Sequence, residues 1–212
     1  MGLFSQLLGK NPGAAKNAKP KVIKNGEWEI HTDAAGTPTQ FYKKGKEWLD
    51  PSNTWHSPSC RYFLHQGFDG NGDECIALTT QVEGLKLKKM SDGIEAALVL
   101  DNGTAYALTD EYVLVTVTPE RSSQKSLSDG TPDAYVLTPE VCAIATDEGE
   151  TVSVKAIDLS TGKSWRKAIR YEWPENGDNK DITVTSSSGR ITVTTPAGTA
   201  HLFNPAGEPI EK

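Results

Sequence analysis

The stretch Val141–Trp173, VCAIATDEGETVSVKAIDLSTGKSWRKAIRYEW, decides how the rest of the chain is read. It holds three β-prone runs: Ala143-Ile144-Ala145-Thr146, Thr151 to Leu159, and Ser164 to Ile169. Asp147-Glu148-Gly149 separates the first two and Ser160-Thr161-Gly162 the last two. Glycine supplies the positive φ that tight hairpins need, while Asp and Ser bond back to the local backbone. In the middle run Val152, Val154, Ala156 and Ile157 nearly alternate with Ser153 and Lys155, the period of a half-buried strand. The stretch predicts an antiparallel β-meander.

The same signals recur on both sides of it. GEWEIHT from Gly26 alternates Trp28 and Ile30 with polar residues, and Lys44-Gly45-Lys46 turns one strand into the next. Asp50 to Cys60, DPSNTWHSPSC, has two prolines among turn formers and reads as loop. Arg61 to Gln66 and Glu74 to Val82 form a hairpin around Asp69–Asp73. Asp101-Asn102-Gly103 between apolar runs is a further hairpin signal. Arg121 to Asp133 is polar and turn-rich, so it reads as a surface excursion or a boundary. The end, from Asp181, gives three short strands punctuated by Ser188-Gly189, Ala197-Gly198 and Ala206-Gly207. The expected fold is all-β, built of antiparallel meanders, with residues 26–212 as a single domain.

Strand-turn-strand units fall at about 60–90, 93–120, 135–170 and 181–210, a spacing that suits stacked or radial arrays. Val154 to Trp165, VKAIDLSTGKSW, resembles the inner-to-outer strand step of a β-propeller blade of the quinoprotein or WD-repeat kind: an apolar strand, an Asp, a Thr-Gly turn and an aromatic on the next strand. Gly189 to Gly198 echoes it. The Gly-His and Trp-Asp signatures of WD repeats are absent. The resemblance implies a propeller-like arrangement, with a β-sandwich or irregular barrel as the alternative.

The chain has 212 residues, 22 basic against 28 acidic, and a formal charge of −6. Residues 1–26 carry Lys10, Lys16, Lys19, Lys21 and Lys24 and no acid, so the remainder is more acidic than the total implies. An acidic body argues against nucleic acid as a partner, since phosphates need positive potential. It suits a basic protein partner. Residues 1–25 read as a flexible basic tail or a short amphipathic helix carrying Leu3, Phe4, Leu7 and Leu8. Used as a membrane or assembly tether, it would give an adaptor; one weak apolar turn binds lipid marginally, so no membrane contact is expected. No apolar window reaches the length of a membrane span, and the start lacks a signal-peptide core. Three cysteines, Cys60, Cys75 and Cys142, are an odd number, which points to a reducing cytoplasm.

No catalytic motif stands out, and no catalytic residue, cofactor or metal is assigned. Asp69, Asn71 and Asp73 have the alternate oxygen ligands of a calcium loop, but Glu74 stands where Gly is needed and Thr80 where a bidentate Glu is needed. His56, Cys60, His65 and Cys75 offer zinc ligands without a C-x2-C pair. The remaining signals are five tryptophans and acidic loops. Trp55, in the least regular part, is the expected binding aromatic, joined by Asp147, Glu148, Glu150, Glu175 and Asp178 as an acidic face. The function read from this is a non-enzymatic interaction module, in its concrete form an inhibitor or immunity protein capping a basic toxin or enzyme. A small-molecule binder or enzyme, its cleft assembled from residues scattered in sequence, is the rival.

Overall fold

Neighbouring residues of one strand point into two different cores, and this sets the architecture around Val141–Trp173. A computed structural model describes residues 19–89, 93–128, 130–173 and 180–210. The strand β13 (Val141–Asp147) pairs antiparallel with β14 (Thr151–Asp158), and β14 with β15 (Ser164–Arg170). β12 (Ala134–Leu137) closes the other side, giving a four-stranded sheet in sequence order. Val141, Ala143 and Ala145 face one way with Val152, Val154 and Ala156. Cys142 and Ile144 face the other way with Ile157. Side chains of a strand alternate between faces, so a strand buried on both sides loses its polar half and reads as a continuous apolar run, as VCAIA does.

The first face packs on a three-stranded sheet, β16 (Thr183–Ser187), β17 (Arg190–Thr194) and β18 (Ala200–Phe203), through Val184, Ile191, Val193 and Phe203. The second face packs on β8 (Ile94–Val99), β9 (Ala105–Thr109), β10 (Val113–Val117) and β11 (Ser122–Ser126), through Tyr106, Leu108 and Leu114. The three sheets thus stack face to face with the meander between. Apolar burial of this kind contributes about 25 cal/mol per Å² removed from water, which makes these two cores the main support of the unit.

These sheets form one compact unit, Asp92–Lys212; Met1–Ser91 forms another. The second unit's sheet has seven strands in sequence order: β1 (Lys21–Asn25), β2 (Trp28–Thr32), β3 (Pro38–Lys43), β4 (Lys46–His56), β5 (Phe63–Asp69), β6 (Glu74–Thr79) and β7 (Gly84–Lys89). Ile30, Phe41, Leu49, Cys75 and Ala77 bury one face of it, with Ile23 and Trp48 packed alongside. Every pairing is antiparallel between consecutive strands, and none of the four sheets closes into a barrel among the described residues. Among those residues no helix is long and apolar enough to cross a membrane.

Three expectations change. The sheet begins at β1, five residues before Gly26, because Lys21–Asn25 registers against Trp28–Thr32. Asp50 to His56 continues β4: Pro51 sits where the register shifts between Pro51 and Asn53, and a bulge tolerates its missing N–H. Ser122–Ser126 is an edge strand held on β10 by backbone pairing.

Candidate functional site

The turn Asp147-Glu148-Gly149 places the acidic residues that the sequence singled out. Gly149 takes φ +97 there, the left-handed conformation that L side chains avoid. Asp147 is the last residue of β13, and its carboxylate holds the Tyr171 hydroxyl, whose oxygen lies 2.9 and 3.0 Å from Oδ1 and Oδ2. That hydroxyl also meets the Gly149 carbonyl. Burial, with the Asp147 carboxylate second, pushes the Tyr171 phenol up to about 12, so it stays a neutral donor. Glu148 accepts from Arg166 Nη2 at 3.0 Å. Asp147 and Glu148 therefore brace the hairpin against β15 and the segment that follows it.

Glu150 is placed differently. It is exposed and lines a cleft of about 800 Å³ together with Thr151, Arg170, Tyr171, Glu172 and His201. The walls come from the ends of β14 and β15 on one side and from β18 and the loop before it on the other, so the cleft lies where the meander meets the three-stranded sheet. Beside it Trp173 is 47% exposed, its ring edge-on to Tyr171 at 5.2 Å. Because Tyr171 is held by Asp147 and Gly149, Trp173 rests on a fixed platform while nearly half of its own surface meets water. Glu175 and Asp178 lie outside the described residues.

Trp55 stands in β4, half-buried and directly across from Leu64 of β5, not in a loop. Trp28 and Trp48 are half-buried and pack edge to face at 5.0 Å. Trp165 donates from Nε1 to the Pro205 carbonyl at 2.7 Å and packs on Phe203. Trp173 is thus the tryptophan that offers an open face, which sequence reasoning missed; its position just beyond the last strand of the meander was the available signal.

The calcium-loop candidates form a self-contained turn. Asp69 Oδ1 accepts from the backbone N–H groups of Asn71 and Asp73 at 2.9 and 3.1 Å, which turns that carboxylate onto its own loop. His65 is fully buried between the Phe41 and Phe63 rings, with Thr54 Oγ1 2.9 Å from Nδ1 and Thr79 Oγ1 2.8 Å from Nε2. Burial pushes its pKa down to about 3, so the ring is neutral and both nitrogens are engaged. Among the described residues no group of three or more His, Cys, Asp or Glu side chains is placed to hold a metal ion. Cys142, buried in the second core, has its thiol pushed up to about 12, which removes it as a nucleophile.

Charge divides along the two units. Asp92–Lys212 carries 19 acidic and 10 basic residues, a formal −9, while Met1–Ser91 carries 9 acidic and 12 basic, a formal +3. The cleft and Trp173 belong to the acidic unit.

No protein-family model and no curated protein matches the chain. Among solved structures, the computationally designed Ika8 protein is similar over 89% of this chain and 59% of its own, at 11% identity and a TM-score of 0.49. The computationally designed Ika4 protein is similar over 76% of this chain and 98% of its own, at 12% identity and 0.45. BamB from Moraxella catarrhalis is similar over 91% of this chain and 57% of its own, at 17% identity and 0.42. The chain spans about three fifths of the length of the first of these. None of the three bears on what the chain binds.

Proposed function

We propose that the chain is a non-enzymatic protein-interaction module whose acidic unit meets a basic partner at the Glu150–Glu172 cleft, with Trp173 as the anchor. The observation that carries the reading is Trp173 itself: a large aromatic held in place by Tyr171 yet left 47% exposed. Aromatics of this kind dominate binding energy because they bring much area at small entropic cost. The surplus of acids in Asp92–Lys212 supports a basic partner, and capping a basic toxin or enzyme is the concrete form. The odd cysteine count supports a reducing, cytoplasmic setting. The stacked meanders of Asp92–Lys212, each in sequence order, support a propeller-like reading of that unit.

The test is capture of partners on the intact chain, followed by binding measurements on the captured protein with Trp173→Ala. Affinity should fall at least tenfold with the fold unchanged by circular dichroism; unchanged affinity would remove Trp173 from the interface. A second reading, a small-molecule site, is favoured by the cleft volume, which is within the roughly 300–1,000 Å³ of ligand pockets. Binding or turnover of a small molecule, lost with Glu172→Gln and independent of any protein, would establish that reading instead.

A further inference from the structure

Tyr135 and Glu95 reach each other from the edges of two neighbouring sheets of Asp92–Lys212. β12 begins its sheet and β8 ends its own, and the two strands adjoin without pairing. Glu95 is the extra residue of a β-bulge: the register passes from Ile94↔Thr109 to Ala96↔Leu108 and skips it. A bulge re-aims a side chain and takes its main chain out of the ladder. The Tyr135 hydroxyl uses both effects, lying 3.4 Å from the Glu95 carbonyl and 3.4 Å from its Oε2.

Tyr135 stands opposite Ile144 of β13, so its side chain lies on the side of the second core. There it meets the Tyr112 ring at 6.2 Å and a tilt of 55°. Tyr112 is pinned through its main chain, donating to the Thr109 carbonyl at 2.9 Å and accepting from the Leu127 N–H at 3.0 Å. Tyr135 is thus held by a neighbouring ring and at its hydroxyl, yet it is 36% exposed. Glu95 and Asp110 are exposed as well, and among the described residues neither carboxylate pairs with a cation. Both act on the tyrosine pair: burial first, then Glu95 and Asp110, hold the Tyr112 phenol above its ordinary range. An aromatic face beside uncompensated carboxylates attracts a cation. A guanidinium suits it better than an ammonium, because it stacks flat on a ring and keeps a fork of N–H donors for a carboxylate.

We infer that Tyr135 and Glu95 form a contact point for an arginine side chain of a partner protein, the guanidinium stacked on the open face of Tyr135 and hydrogen-bonded to the Glu95 carboxylate. The site uses none of the residues of the Glu150–Glu172 cleft and does not depend on it.

The test is NMR of the full chain with isotope-labelled tyrosine, titrated at constant ionic strength with N-acetyl-arginine amide and with its lysine and citrulline counterparts. The arginine probe should shift the Tyr112 and Tyr135 ring signals saturably. The citrulline probe has the same shape without the charge and should bind about tenfold more weakly, with lysine between the two. Glu95→Gln should weaken the arginine probe about tenfold, and Tyr135→Leu, read on Tyr112, by a similar factor. Tyr135→Phe keeps the ring face and should retain binding. Glu120→Gln removes another exposed acid of the same unit and should change nothing. Equal binding of arginine and citrulline probes would overturn the cation, and lysine binding as tightly as arginine would overturn the guanidinium. Absence of saturable shifts at these rings, shifts unchanged in Glu95→Gln and Tyr135→Leu, or an equal loss in Glu120→Gln would overturn the site.

Discussion

Thr79 and His65 meet inside the seven-stranded sheet, Oγ1 to Nε2 at 2.8 Å, with neither side chain exposed. The neutral ring donates from one nitrogen and accepts at the other, so the pair of threonines that flank it completes a satisfied polar row in an apolar face.

Stability of Met1–Ser91 should therefore fall in acid. The His65 pKa is about 3 in the folded chain and about 6.5 unfolded. Between those values the unfolded state binds the extra proton, so stability is full above about pH 6.5 and declines as pH falls toward 3. The slope for this one group approaches about 1.4 kcal/mol per pH unit. Urea midpoints measured at pH 7, 5.5 and 4.5 read the trend, and the His65 ring resonances should not titrate above pH 4.5. A His65 midpoint near 6.5 would show that the ring is wet.

Thr79→Val keeps shape and strips the hydroxyl, leaving a buried ring nitrogen without its partner. The expected loss is about 1–3 kcal/mol, the desolvation cost of an orphaned buried group. Thr54 sits nearer the surface, so Thr54→Val should cost less. Denaturation curves on both variants rank them, and equal losses would place the two hydroxyls in equivalent surroundings.

Gly207 and Gly162 make a matched pair. Both have positive φ, +84 and +70. A Cβ on Gly162 would meet nothing within 4 Å, whereas one on Gly207 would lie 2.6 Å from Trp165 Cδ2. Gly162→Ala should cost about 1–2 kcal/mol for the left-handed backbone alone. Gly207→Ala should cost more and shift the Trp165 emission, since the indole must leave the Pro205 carbonyl to make room. Equal costs would show that the ring yields freely.

Much of the fold was legible because its signals are local. DEG, DNG and STG each fix a reversal within a few residues, and the alternation in Thr151–Asp158 names a strand without outside help. The stretches that misread carry their strand character in their partners. Asp50-Pro51-Ser52 looks like loop, yet β5 supplies the pairing and a bulge absorbs the proline. Ser122–Ser126 has no apolar residue, and only the edge of β10 makes it a strand. The candidate site was less legible still. Asp147 and Tyr171 are 24 residues apart, and nothing near either one announces the hydrogen bond that gives Trp173 its platform. Glu150 was named as an exposed acid, but Glu172 reaches it through the β14–β15 pairing, and His201 only because β18 packs beside the meander.

The last prediction separates the electrostatic part of partner binding from the aromatic part. If the acidic unit steers a basic protein, association should be fast at low salt and slow steeply as ionic strength rises, with dissociation much less affected. Glu150→Lys and Glu172→Lys should slow association in the same way, because a rim charge acts during encounter and is screened by salt. Trp173→Ala should instead speed dissociation by about 30-fold, roughly 2 kcal/mol of lost contact, and leave the salt dependence of association intact. Trp55→Ala is the comparison: half-buried across from Leu64 in the seven-stranded sheet, it should lower stability rather than affinity. Surface plasmon resonance with the captured partner reads both rates. Salt-independent association would remove the acidic steering, and a Trp173→Ala effect confined to the on-rate would remove the anchor, since a desolvated contact that forms after encounter holds the complex together rather than bringing it there.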